Sequence, residues 1–148
     1  MGTIQTYNAA FFGYVQNMFL EIQKDLGTEK ALEFTRRTLE TGLKNAYDGM
    51  GFERGDVEDF RRVLTERDNS VGLRVEFPLV KDDEVVYQFL DDPFPILGVH
   101  ADRPEPEQMD GTYMLFKVDY LLGDGWEYDT TSHLWRGDDR TEHVITRK

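Results

Sequence analysis

The chain has no cysteine among its 148 residues. That absence excludes thiol nucleophiles, thiolate metal sites and disulfides together. Basic residues are scarce too: 17 Lys and Arg stand against 29 Asp and Glu, a formal net charge of −12. Such a surface repels phosphate backbones, so no nucleic-acid partner is expected. Long apolar runs are also missing. No stretch approaches the roughly 18 residues of a membrane span, and no basic segment followed by an apolar core opens the chain. The reading is a cytoplasmic protein with no membrane partner. Aromatics, in contrast, are plentiful: ten Phe, seven Tyr and two Trp. At this length a single domain spanning 1–148 buries roughly 68–70% of its extended surface.

Periodicity divides the chain in two. From about Thr6 to Leu26, residues Tyr7, Ala10, Phe11, Tyr14, Met18, Ile22 and Leu26 fall at the spacing of an amphipathic helix, and Val15 and Phe19 widen its apolar stripe. Gly27 stops it and Thr28 caps a second helix that turns Leu32, Leu39, Leu43 and Ala46 inward. Asp48 to Gly55 is a glycine-rich loop, and Asp56 begins a short third helix with Asp59 in a capping-box-like position. At Val71 the period becomes two: Val71, Leu73, Val75 and Phe77 alternate with Gly72, Arg74 and Glu76. Lys81-Asp82-Asp83-Glu84 turns into a second strand, Val85 to Leu90, which Pro93 ends. His100 to Gln108 reads as a proline-rich loop, Asp110 as the cap of a final helix, and Gly123-Asp124-Gly125 as the way into a closing hairpin. Helices first and hairpins after, without long βαβ crossovers, predict an α+β fold. N-terminal helices pack on one face of a mainly antiparallel sheet of about four strands, with a β-hairpin at the C-terminal end.

That hairpin, Gly125 to Lys148, holds two of the three histidines and both tryptophans. Three registers fit it. Gly137-Asp138 as a type II′ turn sets His133 opposite Glu142; a three-residue loop sets His133 opposite His143; Asp138-Asp139 as the central pair sets His143 opposite Leu134. Glycine suits the first central position of a II′ turn, so the first register is preferred. It puts His133, Trp135, Arg140 and Glu142 on one face.

The imidazole of His133 can take and return a proton near neutrality, with Glu142 opposite to orient it. A hairpin histidine bonded at the edge of a core is the plainer alternative, and His143 carries the same two readings. Asp92, before Pro93 at a strand end, is a working carboxylate or a turn former. Asp119, flanked by Phe116 and Tyr120, reads as an acid or base, or as a salt-bridge partner of Lys117 or Arg74. Trp126, Tyr128 and Trp135 stack a ligand ring or fill the core. Arg74 and Glu76 line a pocket only if helices cover their face of the first strand. In the three-residue register the two imidazoles converge, yet no spacing matches a zinc or iron signature, so no metal and no cofactor is expected.

Several short motifs stand in order along the chain: Asp92-Pro93-Phe94, Asp119-Tyr120, Gly125-Trp126, Thr130-Thr131 and Leu134 through Asp139. Together they resemble the L-2-amino-thiazoline-4-carboxylic acid hydrolase-like family, and the closing hairpin is similar to the end of vinyl-reductase-type small-molecule-binding domains. The first resemblance implies hydrolytic opening of a cyclic C=N bond, with His133 and either Asp92 or Asp119 activating water. Trp126, Tyr128, Trp135, Arg74, Glu142 and His143 would then face the ligand. Family members often carry cysteine near the Asp-Pro-Phe turn and just after Gly-Asp-Asp, where this chain has Asp91 or Asp92, and Thr141. Two functions therefore stay open: a hydrolase acting on a C–N bond, and a non-catalytic small-molecule-binding or sensor module. A homodimer through the wide first helix goes with the second.

Overall fold

The structure, a computed structural model, describes residues 7–148. Within them the elements run α1 (Ala9–Leu26), α2 (Thr28–Met50), α3 (Val57–Ser70), β1 (Val75–Lys81), β2 (Glu84–Phe89), α4 (Pro95–Gly98), α5 (Pro106–Leu121), β3 (Trp126–Ser132) and β4 (Thr141–Arg147). The fold is α+β, with helices at the N-terminal end and one four-stranded antiparallel sheet of order β1-β2-β4-β3. Thr6, where periodicity starts the first helix, lies outside the described residues.

Local chemistry sets most of the boundaries. Asn8 accepts the Phe11 N–H at 3.0 Å and opens α1. Gly27, at φ +92°, separates α1 from α2, a backbone angle that L side chains rarely adopt. Asp56 caps α3 by accepting from Glu58 and Asp59, while the Asp59 carboxylate turns back to the Glu53 N–H at 2.7 Å. Asp82 and Asp83 make the β1–β2 turn, as the acidic tetrad predicts.

Other boundaries differ from the sequence reading. The helix α2 continues to Met50, so the glycine-rich loop is shorter than Asp48 to Gly55. The first strand begins at Val75 because Val71 and Gly72 are bonded back to the end of α3, and it is irregular between Glu76 and Leu79, around Pro78. Proline has no N–H to give the ladder, which fits an edge strand. The helix α5 starts at Pro106, with Glu105 as its cap, so Asp110 lies in its second turn and is no cap.

None of the three hairpin registers is adopted. Thr130 pairs with His143, then the register slips and Ser132 pairs with Glu142. Beyond that pair Leu134–Arg136 coil into a 3-10 turn, closed by Gly137 at φ +89°. Two side chains hold this loop: Asp138 accepts the His133 N–H at 2.8 Å and Thr141 accepts the Leu134 N–H at 3.0 Å.

The described helices pack on one face of the sheet. Val85, Tyr87 and Phe89 of β2 and Thr141, His143 and Ile145 of β4 are buried, as a period of two requires. Phe60 of α3 meets Tyr87 edge-on, and Tyr113 of α5 meets Phe89. The opposite face carries Glu84, Gln88, Glu142 and Thr146. No helix among the described residues is long and apolar enough to cross a membrane.

Candidate ligand cavity and buried polar cluster

A cavity of about 240 Å³ opens between α1, α2 and the end of α3, and reaches inward to β2 and α5. Phe12, Val15, Leu39, Leu43 and Phe89 are among its walls; Thr38 and Gly42, both exposed, mark its rim. Besides Arg67 and the rim residue Thr38, its polar lining is the buried pair Lys117 and Asp68. Both side chains are buried, with Nζ 3.6 Å from Asp68 Oδ1. Tyr87 donates its hydroxyl to Asp68 Oδ2 and accepts from Lys117 Nζ at 2.9 Å. Lys117 Nζ also lies 4.9–5.2 Å from the ring centres of Tyr113, Phe89 and Tyr87. Burial still pushes the Lys117 ammonium below its ordinary pKa, against the pull of Asp68.

Deeper in, a second polar group gathers around Asp110. Its Oδ1 accepts from Tyr113 at 2.9 Å and lies 3.1 Å from His133 Nε2. The other nitrogen of that imidazole, Nδ1, accepts the Trp135 N–H at 2.9 Å. An imidazole whose Nδ1 is an acceptor carries its proton on Nε2, so His133 donates to Asp110 and has no lone pair left over. His143 approaches the same carboxylate from β4, with Nε2 4.0 Å from Asp110 Oδ2 and Nδ1 2.9 Å from Thr130 Oγ1. Among the described residues neither His143 Nε2 nor Asp110 Oδ2 has a hydrogen-bond partner. Burial pushes the His143 pKa down to about 4, so the ring is neutral at pH 7.

The remaining sequence candidates divide into near and far. Asp92 joins the cluster: Oδ1 accepts the Phe94 N–H at 2.8 Å, as in an Asx turn, and Oδ2 accepts the Trp135 indole N–H at 2.9 Å. Its carboxyl pKa is raised by burial, in spite of those two bonds. Tyr128 packs edge-on against His143 with centroids 5.8 Å apart. A void of about 10 Å³ beside Asp92, Asp110, His133 and Trp135 has room for one water at most. Phe89, Phe94 and Tyr113 border both this void and the large cavity.

Four candidates lie elsewhere. Asp119 is exposed on α5, 3.6 Å from Arg54, and pairs with neither Lys117 nor Arg74. Its position, two residues past Lys117, turns it to the opposite side of the helix. Arg74 is exposed and held by Asp91, with 2.8 Å between Nη2 and Oδ1. Glu142 points away from the helices, accepting from Gln88 at 2.6 Å and Thr131 at 2.7 Å, and does not orient His133. Trp126 is buried at the far end of β3, under the Arg147 guanidinium. Among the described residues no group of three or more His, Asp or Glu is placed to hold a metal ion.

No protein-family model matches the chain, and no curated protein matches it either. The site is therefore read from its own geometry.

Sequence reasoning passed over Asp68, Tyr87, Asp110, Tyr113 and Lys117 as site residues. One signal was available on α5: Asp110, Tyr113 and Lys117 fall at i, i+3 and i+7, one face of a helix whose Met114, Val118 and Leu121 are also buried.

The indole-to-carboxylate bond offers a direct check on the cluster's tightness. A Cβ added at Gly98 would sit 2.7 Å from Trp135 Nε1 and 3.0 Å from Asp92 Oδ2. Neither the rigid indole nor the anchored carboxylate can yield freely. Gly98→Ala is therefore expected to destabilise by about 1–3 kcal/mol, the usual range for overpacking. Urea unfolding measures it, and an unchanged midpoint would show that the contact relaxes without loss.

Proposed function

We propose that this protein binds a small molecule of largely apolar body in the cavity between α1, α2 and α5, and does not turn it over. One observation carries the reading: a cavity of about 240 Å³, open to solvent at its rim, with an almost wholly apolar wall. Close-packed interiors leave few voids larger than a water molecule, whereas a dry apolar cavity of about 150 Å³ takes a benzene ring. The hydrolase reading implied by the resemblance needs a base with a free lone pair facing water. His133 has both nitrogens engaged, Asp92 holds an indole, and Asp119 lies outside, which supports binding over turnover.

Ligand and rim can be tested together. Phenyl-substituted acids, indole and 2-amino-thiazoline-4-carboxylate are the probes. A probe at about 100 times its dissociation constant stabilises by roughly 2.7 kcal/mol, on the order of 5–10 °C in melting temperature for a domain of this size. Gly42→Leu adds a side chain where a Cβ meets nothing within 4 Å, at the rim. It is expected to abolish the shift while gaining about 1 kcal/mol of stability from helix propensity. A flat screen on the unaltered protein sinks the binding reading, and ring opening of the thiazoline revives the hydrolase. The homodimer rests on Phe11, Tyr14 and Met18, which remain exposed along α1; light scattering that returns a monomer mass at working concentration removes it.

A further inference from the structure

We infer that the molecule taken by this cavity is a monocarboxylic acid with an apolar body, its carboxylate held at the rim by Arg67. This rests on the binding reading above and adds the chemical class of the ligand.

Arg67, in the last turn of α3, contributes to the cavity wall. Its Nε is buried and has no hydrogen-bond partner among the described residues. Arg62 and Arg74, by contrast, pair with Asp59 and Asp91. No ion pair among the described residues includes Arg67. A buried N–H with no acceptor is a penalty that a suitable ligand oxygen removes.

The neighbouring acid does not answer it. Asp68 follows Arg67 directly but is already taken by the Tyr87 hydroxyl and Lys117. Arg67 and Lys117 against Asp68 leave the cavity with one net positive charge, in a chain whose formal charge is −12. A single anionic group on the ligand balances that excess. The planar guanidinium favours a carboxylate, which it can meet with two parallel N–H donors.

Position and size complete the argument. The guanidinium carbon lies 6.0 Å from the ring centre of Phe11, which is 37% exposed and also lines the cavity. Arg67 therefore stands near the mouth, with the apolar walls further in. An acid entering tail first leaves its carboxylate at the solvent side, where desolvation is least. The volume suits an aromatic ring with a short chain, since about 150 Å³ suffices for benzene alone.

Calorimetry on the full chain at pH 7, with 3-phenylpropanoate, its amide and 3-phenylpropylamine, tests this. The acid is expected to bind at least about tenfold tighter than the amide, equivalent to about 1.4 kcal/mol, and the amine not measurably. Arg67→Gln should remove most of the acid's advantage over the amide, with a smaller loss for the amide, whose carbonyl oxygen also accepts from Arg67, while Arg67→Lys keeps part of the preference. Circular dichroism checks that both variants fold. Equal affinity for acid and amide in the unaltered protein overturns the inference and leaves the cavity reading standing. So does an acid preference that survives Arg67→Gln. Binding of no probe at all sinks both.

Discussion

Replacing Lys117 by Met should cost about 3–5 kcal/mol, the loss expected when one partner of a buried ion pair is removed. Methionine matches the length and shape of the lysine stem, so the loss is electrostatic rather than a cavity. Without the ammonium, Asp68 stays buried as an anion with only the Tyr87 hydroxyl to answer it. The converse follows from the same reasoning. Lys117→Met combined with Asp68→Asn removes both charges and lets the amide oxygen accept from Tyr87. The double variant should then lose less than the two single losses added together, because the residues share one network. Urea unfolding of the four proteins closes the cycle. Strict additivity would mean that the pair is not coupled, and that water reaches Asp68 when Lys117 is gone.

Acidification should weaken the fold through His143 by about 3 kcal/mol between pH 6.5 and 4. The direction follows from proton counts. Buried His143 titrates at about 4, against 6.5 for the free side chain. Between those values the unfolded chain holds a proton that the folded chain does not, so stability rises with pH across the window. It is fully present above pH 6.5 and lost as pH falls to 4, at about 1.4 kcal/mol per pH unit. His143→Phe removes the titrating group. Its stability at pH 7 matters less than the slope, which should flatten by that amount relative to the unaltered protein. Parallel curves for the two proteins would place the acid sensitivity on other groups.

How far the sequence predicts this molecule depends on the range of the interactions involved. Periods of 3.6 and 2 locate the helices and the antiparallel hairpins, because they report which face of each element is buried. Asp56 and the Asp82-Asp83 turn are legible because their chemistry lies within a few residues. The closing loop is less so. Gly137-Asp138 suggests a two-residue turn, but the side chains of Asp138 and Thr141 hold the chain in a 3-10 turn instead. The polar cluster is hardest to see. Asp68, Tyr87 and Lys117 lie in three elements, and each looks like an ordinary surface or sheet residue until the fold joins them. Asp110 is hidden because an aspartate ahead of a helical pattern reads as its cap, whereas α5 starts four residues earlier. His133 and His143 do converge, through a shared carboxylate rather than across a strand pair.

The sheet order has a consequence for how the chain is made. The strand β4 comes last in sequence among the described elements yet sits between β2 and β3. On the ribosome, synthesis proceeds at about 5–20 residues per second. Throughout that time β3 has no sheet neighbour and β2 has only β1. The helices α1, α2 and α3 can pair early, but the surface meant for β4 stays open until Arg147 clears the exit tunnel. The backbone edge of β2 is therefore open to chaperones and to unwanted strand partners until β4 emerges, and the sheet closes only once the last of its four strands is available.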